Sequence, residues 1–159
     1  MIRLSKLTDY GIVLLSYVAQ RSLGEMITAR ALSEESKLPL PTVSKILKML
    51  SRAGLLVSHR GNKGGYTLSR AAVEISIVDV ISAIEGPLAL TECSSAAPVL
   101  CELEDTCPSR KNWKKINEAV RDALAELTLL DMVRPGFGAC ESHQASGAVT
   151  EPLLKLVRR

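Results

Sequence analysis

The sequence predicts a mainly α-helical chain with one small β-hairpin, and three observations carry that prediction. Apolar residues recur at three- and four-residue steps through several separate segments. One β-rich run folds back on itself at the glycine-rich tip Gly61-Asn62-Lys63-Gly64-Gly65. Aromatic residues make up only 3% of the 159-residue chain while apolar residues make up 47%, so the core must be aliphatic.

Residues 5–20 read as the first helix, with Leu7, Gly11, Leu14 and Val18 on one face and Lys6, Asp9 and Gln20 off it. Thr28 is an N-cap for a second short helix, about 28–36. Leu38-Pro39-Leu40-Pro41 interrupts it, because each proline disfavours helix in the residue before it. A third helix starts at Pro41, where the missing N–H costs nothing. Val43, Ile46, Leu47 and Leu50 form its buried stripe, and Gly54 closes it. The run Leu55–Arg60, the glycine-rich tip and Tyr66-Thr67-Leu68 then make strand, turn and strand. Ser76 and Asp79 have capping-box spacing ahead of Ile77, Val80, Ile81 and Ile84, which predicts a fourth helix ended by Gly86-Pro87.

Residues 91–112 show no periodicity. From Trp113 the pattern returns: Trp113, Ile116, Val120, Ala123, Leu127 and Leu130 make a heptad-like seam that wants a partner helix. From Pro135 the chain turns to Gly, Ser, Ala, Glu and His, and reads as a flexible tail with one possible helical turn near Leu153–Val157. The resulting division is a head over 1–87, a cysteine loop over 88–112, a dimerisation helix over 113–132 and a tail over 133–159.

Two short helices around a tight turn, followed by a hairpin with a glycine-rich tip, make a winged helix-turn-helix. Such a unit places its third helix in the major groove of double-stranded DNA. Thr42, Ser44, Lys45 and Lys48 on the outer face of that helix would reach base edges and phosphates. Arg60, Asn62 and Lys63 put donors on the wing, and Arg3 and Lys6 put cations near the first helix. Charge agrees in sign: residues 1–90 carry 11 Lys/Arg against 7 Asp/Glu, whereas residues 91–132 carry 5 against 8. The competing reading is an all-helical domain with a solvated hairpin.

Other classes fall away. No stretch approaches the roughly 18 consecutive apolar residues of a membrane span, and no cleavable targeting segment is recognisable at the start. A cytoplasmic protein without membrane contact is expected. No Ser-His-Asp set, phosphate loop or paired carboxylates occur, and there are only two His, so neither an enzyme nor a small-molecule substrate is expected.

Three of the four cysteines, Cys93, Cys101 and Cys107, lie in one loop at C-x7-C-x5-C spacing. Thiolates are soft ligands suited to iron–sulfur clusters, zinc or Cu(I). There is no C-x-x-C knuckle, which makes a structural zinc ribbon less natural. A bare thiol redox switch and three unremarkable thiols are the remaining readings. Cys140 and His143 form a C-x2-H pair in the tail, more naturally read as bystanders than as ligands. His59, in the wing strand, reads as a surface or phosphate-facing residue.

The stretches Lys6-Leu7-Thr8-Asp9-Tyr10, Leu38-Pro39-Leu40-Pro41-Thr42-Val43-Ser44-Lys45, Arg60-Gly61-Asn62-Lys63-Gly64-Gly65-Tyr66 and Ile84-Glu85-Gly86-Pro87 resemble the IscR-type family of winged-helix regulators, over about residues 1–132. Within that family, Leu88-Ala89-Leu90-Thr91-Glu92-Cys93 and Cys107-Pro108 followed by Asn112-Trp113 are most similar to regulators of SUF-type iron–sulfur assembly genes. The resemblance implies a homodimer joined through the long helix, acting on a near-palindromic operator as a repressor. It implies an iron–sulfur cluster on Cys93, Cys101 and Cys107. IscR takes a fourth ligand from a His three residues after the third Cys; here that residue is Arg110, which cannot ligate. Asp9 matches the aspartate that serves as fourth ligand, from the other subunit, in the nitric-oxide sensor of the family. That favours [4Fe–4S] over [2Fe–2S]. A nitric-oxide or iron-status sensor on the same scaffold is the main alternative, and a cluster-free thiol switch is the other.

Overall fold

The computed structural model describes residues 3–22, 24–61, 64–91, 94, 101 and 106–134. In chain order the elements are α1 (Lys6–Ala19), α2 (Ala29–Ser36), α3 (Leu40–Arg52), β1 (Leu56–His59), β2 (Gly65–Leu68), a 3₁₀ turn (Ala72–Glu74), α4 (Ile77–Glu85), α5 (Arg110–Ala125) and α6 (Leu129–Val133). The mainly helical chain with a two-stranded antiparallel wing is as the sequence predicts.

Side chains cap α1, α2 and α4, and those of α2 and α4 are the residues the sequence predicts. Ser5 caps α1 and Thr28 caps α2, each accepting an N–H from the first turn. Ser76 and Asp79 close a capping box on α4. α3 ends in paired backbone bonds: Leu55 N–H to Leu50 C=O at 3.0 Å, and Gly54 N–H to Ser51 C=O at 3.1 Å. Gly54 sits at φ +76°, the left-handed conformation this termination requires. In the turn between α2 and α3, Lys37 is also left-handed, at φ 60°, without being glycine. Ser33 Oγ donates to Leu38 C=O at 2.6 Å and helps fix that turn.

The core is aliphatic. Leu14, Leu15 and Val18 of α1 meet Leu32 of α2 and Val43, Ile46, Leu47 and Leu50 of α3, with Val80 of α4 and Leu129 of α6 completing it. Gly11 allows α1 and α4 to approach closely, since a Cβ there would fall 2.3 Å from the Ile84 terminal methyl. In the wing, Leu56 pairs with Leu68 and His59 with Gly65. Ile27 bridges Tyr66 through two backbone hydrogen bonds of 3.1 and 2.8 Å, so the hairpin is tied to the head.

One element differs from its sequence reading. The seam from Trp113 to Leu130 is not a single helix. α5 starts earlier, at Arg110, and stops at Ala125. Thr128 then caps α6 in a box with Asp131. The intervening backbone is used elsewhere: Ile77 N–H donates to Leu127 C=O and Leu129 N–H to Ile75 C=O, both at 2.8 Å. Leu129, off the predicted seam, becomes a fully buried core residue. The tertiary bridge outweighs the continuing helical periodicity.

Candidate functional site

Two regions hold the residues that sequence analysis singles out. The first is the outer face of α3 with the wing. Burying Val43, Ile46, Leu47 and Leu50 leaves Ser44, Lys45 and Lys48 exposed on the opposite side and Thr42 half-buried. Pro39 is the N-cap and offers no side-chain bond, Pro41 has no N–H and Val43 N–H is bonded to Pro39 C=O, which leaves the Leu40 and Thr42 amides without a side-chain cap. Those amides and two lysine ammoniums form a surface suited to a phosphodiester backbone. Arg60 is exposed just beyond β1. Asn62 and Lys63 lie outside the described residues. His59 is exposed, and its Nε2 lies 3.3 Å from Thr67 Oγ1 across the hairpin.

The glycine pair at the wing has a steric cause. A Cβ on Gly64 would meet the His59 carbonyl oxygen at 2.3 Å, and one on Gly65 would meet the Ile27 carbonyl oxygen at 2.8 Å. Only glycine lets the hairpin close and dock on the head. At its base, Arg70 donates to Asp79 Oδ2 and to the Glu74 carbonyl, both at 2.9 Å. The wing is therefore fastened to the first turn of α4.

The second region is the cysteine loop and its supports. Cys101 and Cys107 are free and half-buried. Cys93 lies outside the described residues, as do Cys140 and His143. Among the described residues no group of three or more His, Cys, Asp or Glu could hold a metal ion. Asp9, in the first turn of α1, is exposed. Arg3 and Lys6, at the same end, are also exposed.

Two residues that sequence analysis did not assign to a site hold the start of this loop. Asn117 is the buried residue of α5, 9% exposed. Its Oδ1 accepts from Leu90 N–H at 3.0 Å and its Nδ2 donates to Leu88 C=O at 3.1 Å. Glu85, the last residue of α4, accepts from Ser5 N–H at 2.8 Å and from Thr8 Oγ at 2.5 Å. The Thr8 hydroxyl and the Ser5 amide hold the Glu85 carboxyl below its ordinary range. For Glu85 the available signal was Ser5-x-x-Thr8, two hydroxyls opening α1. For Asn117 the only signal was a polar residue one turn before Val120 and two turns before Leu124.

On the seam itself, Trp113 is 40% and Ile116 45% exposed. The described residues leave these large apolar side chains uncovered. Among the described residues no helix is long and apolar enough to cross a membrane.

The sequence profile of Rrf2, described as an iron-dependent transcriptional regulator, matches residues 4–135. The chain belongs to the Rrf2 family. It is similar to the protein aau3 of Rhizobium meliloti (strain 1021), at 34% identity over 137 residues, covering 83% of this chain and 85% of that protein. Among solved structures it is similar to CymR, the global cysteine regulator of B. subtilis, at 26% identity and a TM-score of 0.64, covering 84% of this chain and 97% of that one. It is likewise similar to IscR of T. potens, at 25% identity and a TM-score of 0.61, covering 83% and 86% of the two chains. The IscR-type resemblance and the winged-helix architecture thus hold for this Rrf2 chain. It is a DNA-binding transcriptional regulator and not an enzyme.

Proposed function

We propose that this Rrf2 protein is a homodimeric repressor of SUF-type iron–sulfur assembly genes that reads its own cluster. The observation that carries the reading is the cysteine loop. Cys101 and Cys107 are free, half-buried thiols ahead of α5, a helix that leaves Trp113 and Ile116 uncovered among the described residues. Cys93 completes a three-thiolate set, and Asp9 of the partner subunit would complete four ligands. That donor set fits a [4Fe–4S] cluster with one oxygen-ligated, exchangeable iron. When bound, such a cluster supplies redox- and iron-sensitive chemistry to the protein.

The chain's own residues do the rest. Pairing α5 with its copy would bury Trp113 and Ile116 and place two heads about a two-fold axis, which calls for a near-palindromic operator. Thr42, Ser44, Lys45 and Lys48 would read the major groove, while Arg60, Asn62 and Lys63 follow the wing. Arg3 and Lys6 would reach phosphates. Sensing would require that the loaded and empty forms differ in DNA affinity, since a ligand shifts an equilibrium only by its differential binding. The protein would act in the cytoplasm.

Native mass spectrometry of the full chain purified without oxygen tests this. The expected result is a dimer carrying about 352 Da per subunit, the mass of four iron and four sulfur atoms. A dimer of bare mass would refute the cluster and favour the second reading, in which Cys101 and Cys107 act as a thiol switch. Their being free and partly exposed supports that alternative. A cluster that persists in Cys101→Ala would refute the assigned ligands. Iron-status and nitric-oxide sensing are separated by whether iron depletion or nitric oxide releases operator DNA.

A further inference from the structure

The stem of the cysteine loop, residues 86–91, is held from two sides. At its start, Glu85 joins the C-terminus of α4 to the N-terminus of α1, 77 to 80 residues earlier in the chain. Thr8, which donates one of those bonds, is fully buried. Gly86 follows at φ +91°, turning the chain out of the helix. Two and four residues further on, at Leu88 and Leu90, Asn117 takes the stem backbone with both ends of its side-chain amide. Only one orientation of that amide satisfies both bonds, because the oxygen must meet an N–H and the nitrogen a C=O. An asparagine buried on a helix whose neighbours on that side are Val120 and Leu124 is costly unless both groups are used. Here both are used, on the stem, among the described residues.

We propose that Asn117 and Glu85 are positioning residues that clamp the stem of the cysteine loop between α5 and the start of α1. Neither is a ligand. Asn117 sets where the stem meets the helix that carries the apolar seam. Glu85 sets it against the helix that carries Asp9. The loop's geometry is thereby tied to two helices outside it. This deepens the proposed function and rests on it only in the part that concerns iron.

Two readouts on the full chain keep the clamp and the cluster apart. The first uses iron-free protein and follows amide exchange at Leu90 together with maleimide labelling of Cys101 and Cys107. Asn117→Ala should speed both by about fivefold to tenfold, the factor expected for the net loss of about one hydrogen bond. Asn117→Asp keeps the acceptor for Leu90 N–H and sets an oxygen against Leu88 C=O, so it should protect Leu90 better than alanine does. Glu85→Gln should speed exchange at Ser5. The second readout is the rate at which a ferrous chelator strips iron from anaerobically loaded dimer. Asn117→Ala should release iron about fivefold to tenfold faster. Leu32→Ala, a core substitution remote from the loop, controls for lost stability alone and should leave release unchanged. Unaltered Leu90 exchange in Asn117→Ala would overturn the clamp, as would equal acceleration by Leu32→Ala. If the wild type takes up no iron, the cluster reading fails, and exchange with thiol labelling still decides the clamp.

Discussion

The bond between Thr8 and Glu85 can be isolated by a double-mutant cycle. Thr8→Val replaces a buried hydroxyl by a methyl of similar volume, so it removes the donor without opening a cavity. Glu85→Gln keeps the shape and one acceptor oxygen but removes the charge. A hydrogen bond to a charged group contributes about 1.5–3 kcal/mol. Glu85 is itself an exposed residue, so solvent screening brings the expected cost of Thr8→Val down to about 1 kcal/mol. Glu85→Gln should cost about 0.5–1 kcal/mol, because Ser5 N–H still finds an acceptor. The coupling energy should be about 0.5–1 kcal/mol. Urea melts at one fixed protein concentration would measure it, since self-association would shift the midpoint with concentration. Acidity provides a second check. The Glu85 carboxyl is depressed below its ordinary 4.5 in the folded protein. Its contribution is therefore complete above the unfolded value and lost as pH falls through the folded one. The gap between wild type and Glu85→Gln should be full at about pH 7 and close as the pH falls below the ordinary 4.5 and through the folded value. A coupling energy indistinguishable from zero, or a gap that widens on acidification, would refute the reasoning.

Lys37→Gly should stabilise the head by up to about 1 kcal/mol, because it relieves a left-handed non-glycine residue; an unchanged or lower urea midpoint would contradict this. Gly64→Ala should spoil closure of the wing against the His59 carbonyl and weaken operator binding at least about tenfold, while far-ultraviolet circular dichroism of the helices stays the same. Lys45→Ala should weaken operator binding and flatten its salt dependence by about one phosphate's worth of slope, read from titrations at several salt concentrations. Trp113→Glu places a charge on the uncovered face of α5 and should yield monomer in analytical ultracentrifugation; an intact dimer would remove that face from the interface.

Most of the head was legible because local signals and burial agree. In α3 the same four residues that recur at helical spacing are buried, and the lysines between them are exposed. The capping box of Ser76 and Asp79 appears as written in the sequence. The break after α5 was hidden for a specific reason. Leu127 and Leu130 continue the seam's spacing, while Thr128 and Asp131 spell a cap at the same place. What decides between these signals is the bridge to Ile75 and Ile77, some 50 residues away in sequence, which no local pattern contains. Asn117 was hidden in the same way. Its partners are backbone groups 27 and 29 residues earlier, in the stem just ahead of the segment without periodicity. The loop cysteines stand out by spacing and chemistry; of the three, Cys101 and Cys107 are described, and both are free and half-buried.

The break after α5 also bears on how a loop could command a DNA-binding head. α6 packs back on the core through Leu129, and the Leu127 and Leu129 backbone is bonded to the start of α4. α5 is thus anchored to its own head at its far end, and to the stem of the cysteine loop through Asn117 in its middle. A 16-residue helix is about 24 Å long at 1.5 Å per residue. Tilting such a rod by about 10° moves its free end by about 4 Å, close to the 3.4 Å rise between base pairs. In a dimer joined along α5, a stem displacement too small to disturb the core would shift the two recognition helices by about one base pair relative to each other. Phosphate contacts that fix register would then fail together. The requirement is that the stem hold two discrete arrangements against α5, and a bidentate asparagine, either engaged with both backbone groups or with neither, is a group that can make the two arrangements distinct.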